Sequence, residues 1–229
     1  MSRPLVIAHR GASGYEVENS IAAFRAAGEQ GADAVELDIH ATADGALVVQ
    51  HGDRVAGRLI AQSSLHDVQS HPLPNGEAIP TLGEALGVIV PRLIAFVEIK
   101  TLPLRLDEKL FEVIERSGAP ERVALHAFDH RVIRRLGERR PHMRRGVLMA
   151  SYPVDPLRCL QDADATILWQ HSAYVDEALV AAVHDARMTV HVFTVDDPDE
   201  MRHLAAIGVD GLCTDFPDRA RQAIASLPA

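Results

Sequence analysis

The chain has 229 residues, 47% hydrophobic and 24% charged, with a formal net charge of −9. That balance suits one large α/β domain spanning 1–229 with a sizeable core, and its acidity disfavours nucleic-acid backbones and anionic lipid surfaces as partners. Aromatic residues make up only 4%, too few for a base-stacking platform, and no apolar run is long enough to span a bilayer.

Cys159 and Cys213 lack metal-type spacing and read as free thiols of a reducing compartment. The expectation is a soluble cytoplasmic protein, without stable membrane association, that acts on a small molecule. An anionic substrate would need a local cation to offset the overall field.

In chain order, the first apolar run predicts a strand over Leu5 to His9, ending in His9-Arg10-Gly11. Asn19 is the expected N-cap of a helix over Ser20 to Gln30, closed by Gly31. A second strand runs from Ala34 to His40, followed by the turn Asp44-Gly45, a short strand over Ala46 to Gln50, and His51. Residues Gly52 to Pro80 break the rhythm and read as a small insertion before a helix near Leu82 to Val90. Further strands are expected over Leu93 to Lys100, Arg122 to Ala127, Arg145 to Met149, Ala165 to Leu168, Thr189 to Val195 and Gly211 to Thr214. Helical stretches include Leu104 to Ser117, Val175 to Ala186, Pro198 to Ile207 and Pro217 to Ala225. Eight such units predict a TIM (β/α)8 barrel with a small insertion after strand two. A doubly wound open sheet would show a glycine-rich first turn, whereas this one reads His9-Arg10-Gly11-Ala12-Ser13-Gly14.

The placement of carboxylates carries most of the functional information. In Val35-Glu36-Leu37-Asp38-Ile39, strand alternation puts Glu36 and Asp38 on one face and the apolar residues on the other. Packed against helices, the apolar face turns two carboxylates into the barrel, where they repel each other and cost desolvation energy. A divalent cation with hard oxygen ligands, Mg²⁺ or Ca²⁺, resolves both problems. Glu98 and Lys100 share a face in the next strand, so Glu98 can join the same ion while Lys100 holds a substrate anion. His9 and Arg10, at a C-terminal strand end, suit acid–base work and anion binding.

His51 opens the insertion, and two histidines can share the base and acid roles of a phosphodiester cleavage near neutral pH. With twelve histidines in the chain, His40, His66, His71, His126, His130, His142, His184 and His203 read as structural, with His171 and His191 as weaker candidates. Thr214 and Asp215 read as a cap for the last helix, and Cys213 as core.

Taken as an ordered set, these residues resemble the glycerophosphodiester phosphodiesterase family. The resemblance runs from His9-Arg10-Gly11 and Glu18-Asn19-Ser20 through Val35-Glu36-Leu37-Asp38, Asp44-Gly45 and Gln50-His51. It continues through Ile79-Pro80-Thr81-Leu82, Val97-Glu98-Ile99-Lys100 and Phe193-Thr194-Val195, and closes with Gly208-Val209-Asp210-Gly211 and Thr214-Asp215-Phe216-Pro217.

It implies a TIM barrel with an inserted segment at about 52–80 and one divalent cation, Mg²⁺ or Ca²⁺, held by Glu36, Asp38 and Glu98. It further implies His9 and His51 as the acid–base pair, Arg10 and Lys100 as phosphate-binding residues, and release of glycerol 3-phosphate and an alcohol. The implied course is attack by the substrate's own glycerol hydroxyl, giving a cyclic phosphate that water opens. The chain departs from the family pattern at Val17, at Gly52-Asp53 after His51, at Ala127-Phe128 and at Phe193. Ala127 and Phe193 are expected to border the pocket and bear on which alcohol is accepted. Rival readings are a lysophospholipid-cleaving relative, a catalytically silent binding module and a metal-assisted aldolase or isomerase barrel.

Overall fold

The computed structural model describes residues 3–225. In chain order the elements are β1 (Leu5–His9), α1 (Ile21–Glu29), β2 (Ala34–Ala41), β3 (Leu47–Val49), β4 (Arg54–Val55), β5 (Arg58–Leu59), α2 (Leu65–Gln69) and α3 (Leu82–Ile89). Then follow β6 (Ile94–Ile99), α4 (Asp107–Arg116), β7 (Val123–Ala127), α5 (His130–Arg139), β8 (Arg144–Met149) and α6 (Arg158–Ala163). The chain continues through β9 (Ile167–His171), α7 (Glu177–Asp185), β10 (Thr189–Phe193), α8 (Pro198–Ala206), β11 (Gly211–Thr214) and α9 (Pro217–Ala225).

Eight parallel strands close on themselves in the order β1-β11-β10-β9-β8-β7-β6-β2, and β2 pairs back to β1. With helices between the strands, this is a TIM barrel. The short β3 adds antiparallel to the end of β2, pairing Ile39 with Val49 and Ala41 with Leu47.

Every residue of β2 is buried, as a strand covered on both sides requires. Val35, Leu37 and Ile39 join the apolar layer that includes Phe24 of α1, Leu82 and Leu86 of α3, and Leu110 of α4. The inner face carries a second cluster of Ile7, Ala34, Phe96, Ala124, Leu148, Ile167, Trp169 and Cys213, which fills the barrel as side-chain layers do in this fold. Burying side chains of this size contributes about 1.5–3 kcal/mol each.

Three local expectations change. Ser20, not Asn19, caps α1, accepting from Ala23 N; Asn19 is fully buried and turned towards β2. The sixth barrel strand is Ile167–His171, starting two and ending three residues later than expected, with Trp169 turned into the barrel and Gln170 also buried. The seventh ends at Phe193, short of Val195. Helices α5 and α6 complete the two units whose helices are not bounded from the sequence; α5 buries Ile133, Leu136 and Gly137 of its ten residues.

The segment after β3 holds the β4–β5 hairpin and α2 over a small core of Val48, Ile60, Val68, Leu73 and Ile79, against which Val17 packs. Glu77 from this segment accepts from the backbone N–H groups of Ile21 and Ala22 at 2.8 and 3.2 Å, supplying negative charge at the N-terminus of α1.

Candidate active site

Strand register places the charged residues at one level of the barrel mouth. His9 sits beside Glu36, Asp38 beside Glu98, and Glu98 beside His126. The period-two alternation that points Ile7, Ala34, Phe96 and Ala124 inwards on the floor points His9, Glu36, Glu98 and His126 inwards one layer higher.

Backbone geometry sets up the first of these. Arg10 adopts a left-handed conformation at φ 54°, which sends its backbone N–H to Glu36 Oε2 at 3.2 Å. Gly11 follows at φ 86°, where a Cβ would come within 2.6 Å of the Ala23 backbone; only glycine fits.

The carboxylates have different partners. Asp38 accepts from Asn19 Nδ2 at 2.9 Å and forms ion pairs with Arg10 Nε at 3.2 Å and Lys100 Nζ at 3.1 Å. Burial opposes its charge, but Lys100, Arg10 and Asn19 outweigh it and hold the carboxyl below the usual range. Lys100 also contacts Glu98 at 2.7 Å, and Arg10 contacts Glu18 at 2.7 Å.

Glu36 is pushed well up by burial and by repulsion from Asp38 and Glu98. Glu98 is raised by burial and by Asp38. Glu36, Glu98 and His126 each offer a donor atom within 4.8 Å of the others. Burial pushes the His126 imidazole down to about 3, so it stands neutral. A cavity of about 20 Å³ lined by His9, Glu36, Glu98, His126 and Trp169, among others, has room for one water-sized species. Two buried carboxyls resisting ionisation, a neutral imidazole and a one-ion cavity together fit a divalent cation.

His9 Nδ1 lies 2.6 Å from Asp215 Oδ1, and the Ser13 hydroxyl, with one proton to donate, stands within hydrogen-bond distance of both that oxygen, at 2.8 Å, and the His9 carbonyl, at 2.7 Å. Asp215 is partly buried, yet its bonds to His9 and Ser13, with the charge of Arg10, hold its carboxyl below the usual range. An ionised carboxylate only accepts, so Nδ1 is the ring nitrogen that carries a proton towards Asp215, and Nε2 is the one left for proton exchange.

Asp215, which the sequence reads as a helix cap, is held against His9 at the mouth instead. Thr214 alone keeps a local turn role, accepting from Phe216 N at 3.1 Å. His51 is exposed at the mouth, its imidazole lowered by partial burial and by Arg10. Its carbonyl contacts the ring of His40 at 3.2 Å. Cys213 is buried, its thiol pushed far up, and is core. Phe193 does border the site cavity. Ala127 is buried in the outer apolar layer, facing away from it.

The glycerophosphoryl diester phosphodiesterase family model matches residues 9–219, from the first site histidine to just past Asp215. The chain belongs to this family of phosphoric diester hydrolases. It is 32% identical to a glycerophosphodiester phosphodiesterase of Caldanaerobacter subterraneus, over 94% of this chain and 96% of that one. A Bacillus altitudinis glycerophosphodiester phosphodiesterase is 30% identical with the same coverage. Among solved structures, a glycerophosphodiester phosphodiesterase from Parabacteroides distasonis superposes with a TM-score of 0.89 at 26% identity, over 98% of both chains. A phosphodiesterase from Oleispira antarctica, solved in complex with the product sn-glycerol-3-phosphate, gives 0.86 at 26% identity, also over 98% of both.

Proposed function

We propose that the chain hydrolyses glycerophosphodiesters to glycerol 3-phosphate and an alcohol, with His9 and His51 as the acid–base pair and a divalent cation at the mouth carboxylates. The observation that carries this reading is the Asp215–His9 pair set beside Glu36, Asp38 and Glu98 in a chain of this family.

Asp215 fixes the tautomer of His9, so that Nε2 can take or return a proton at the diester. His51, lowered by burial and Arg10, is neutral near pH 7 and suited to take a proton. Arg10 and Lys100 present the guanidinium and ammonium that bind phosphoryl oxygens, and Asp38 holds both in place. Three carboxylates against these two cations leave the mouth net negative when all are ionised. When bound, a divalent cation reverses that balance for an anionic diester and polarises a phosphoryl oxygen or hydroxyl. The test is a coupled assay for glycerol 3-phosphate release across several diesters, with and without exhaustive chelation. Release that depends on added cation is expected; no release from any diester would end the reading.

A lysophospholipid substrate is a second reading, favoured by one observation. The exposed large hydrophobic residues Tyr15, Leu104, Phe128, Tyr152, Val154 and Tyr174 all lie in strand-to-helix connections on the mouth face. The low aromatic content by itself predicts no such clustering. Comparing glycerophosphocholine with lysophosphatidylcholine as substrates separates the two.

A further inference from the structure

The two halves of the barrel mouth carry different chemistry. Arg10 and Lys100, the cations suited to a phosphate, stand at the ends of β1 and β6, on either side of β2 in the ring. The consecutive strands β7, β8, β9 and β10 complete the ring on the other side. Their connections to the following helices, residues 128–129, 150–157, 172–176 and 194–197, contain no lysine or arginine. They contain Asp129, Asp155, Asp176, Asp196 and Asp197. Asp129 is paired with Arg131. Asp176, Asp196 and Asp197 accept only from hydroxyl and backbone N–H groups among the described residues, so their charge is not cancelled by a neighbouring cation.

The same half carries rings, in a chain with only 4% aromatic residues. Phe193 ends β10 and borders the site cavity together with His9, Glu36 and Glu98. Phe128 and His171 pack on Phe193 with centroids 6.2 and 5.8 Å away and planes at 79° and 75° to it. Tyr174 extends the wall from His171 at 5.9 Å. Phe128, His171 and Tyr174 are exposed, so a ligand can reach them. Tyr152 Oη donates to Asp176 Oδ1 at 2.9 Å, tying two of these connections together. His171 Nδ1 accepts from Ala173 N at 3.2 Å. A nitrogen that accepts keeps its lone pair, so this ring is an uncharged imidazole and does not repel a cation.

We propose that this aromatic, anionic half of the mouth is the subsite for the leaving alcohol, and that it selects an alcohol bearing a quaternary ammonium group, as choline does. Rings set nearly at right angles present π faces in more than one direction, and such faces attract a compact, weakly hydrated cation. The aspartates behind them add attraction without an ammonium or guanidinium to compete. With the phosphate held by Arg10 and Lys100 and the glycerol part beside the histidines, the other ester arm reaches across the cavity to Phe193. This inference rests on the diester-hydrolysis reading above and names the alcohol taken at that same site.

The test compares kcat/KM of the whole chain for glycerophosphocholine and for its 3,3-dimethylbutyl ester counterpart, in which carbon replaces the nitrogen and the charge is lost at constant shape. The choline ester should be favoured roughly 3- to 10-fold. Phe128→Leu and Tyr174→Leu, which keep apolar bulk and remove an exposed ring, should each bring that ratio towards one, mainly through KM. Running the same pair as lysophospholipids distinguishes a lipid headgroup from a free diester as the source, and the choline form must win in whichever series is cleaved. A neutral ester cleaved as well as the choline ester, or a ratio unmoved in both variants, overturns the inference and leaves the proposed function standing. No release from any ester overturns both.

Discussion

The inside of the barrel holds two layers on the same strands, and they are built on opposite terms. On the floor, Ile7, Ala34, Phe96 and Ala124 meet Trp169 and Cys213 in an apolar packing, and the one histidine there, His191, is buried edge-on to Phe96 and Trp169 and held neutral, at about 3. Two residues further along the same strands, His9, Glu36, Glu98 and His126 line the mouth cavity. The floor satisfies itself by dispersion and area burial. The mouth stays frustrated, with Glu36 and Glu98 held above the usual carboxyl range. Stability is concentrated in one layer and chemistry in the other, a single pleat repeat apart.

Mutations at the two layers should therefore separate cleanly. The largest effect is expected for His9→Ala and His51→Ala: a fall of about 10²–10⁴ in kcat for glycerol 3-phosphate release, with the thermal midpoint nearly unchanged. Retention of wild-type kcat in either variant would remove that histidine from the mechanism. Asp215→Asn should lower kcat about 100-fold by releasing the His9 ring from its productive tautomer and position, with cation affinity intact. A change confined to cation affinity would contradict a role through His9.

On the floor, Phe96→Ala should cost about 3–5 kcal/mol of unfolding free energy in urea or thermal melts, with kcat of the still-folded fraction near wild type. A loss well below that range would mean the layer is not tightly packed.

The smallest effect is a pH slope. His126 and His191 have folded values of about 3 against an ordinary value near 6.5. The unfolded chain therefore binds more protons between these limits, and stability falls as pH drops through that window. His191→Leu removes one such proton, so its acid arm should be shallower by up to about 1.4 kcal/mol per pH unit. Parallel arms for variant and wild type would show that His191 titrates normally in the fold.

Much of this was legible in the sequence because side-chain direction in a strand is a local property. The apolar runs mark all eight barrel strands, and Glu36-Leu37-Asp38 already states that two carboxylates share a face opposite Val35, Leu37 and Ile39. Elements whose burial is set by distant neighbours were harder to read. Helix α5 shows the core only three residues, and β9 hides Trp169 and Gln170 behind polar-looking chemistry. His126 reads as one histidine among twelve until β6 and β7 pair and bring it level with Glu98.

The sequence by itself determined that eight strands alternate with helices and that Glu36 and Asp38 share the face opposite Val35, Leu37 and Ile39, since a pleat of period two is decided within a few residues. Only the tertiary structure decided who meets whom. Closing β11 onto β1 sets Asp215 against His9 across 206 positions. The stagger of β2 on β1 and β6 gives Asp38 to Arg10 and Lys100, leaving Glu36 and Glu98 to converge with His126. Charge pairing depends on separations of a few ångströms, and those are set by register and ring closure.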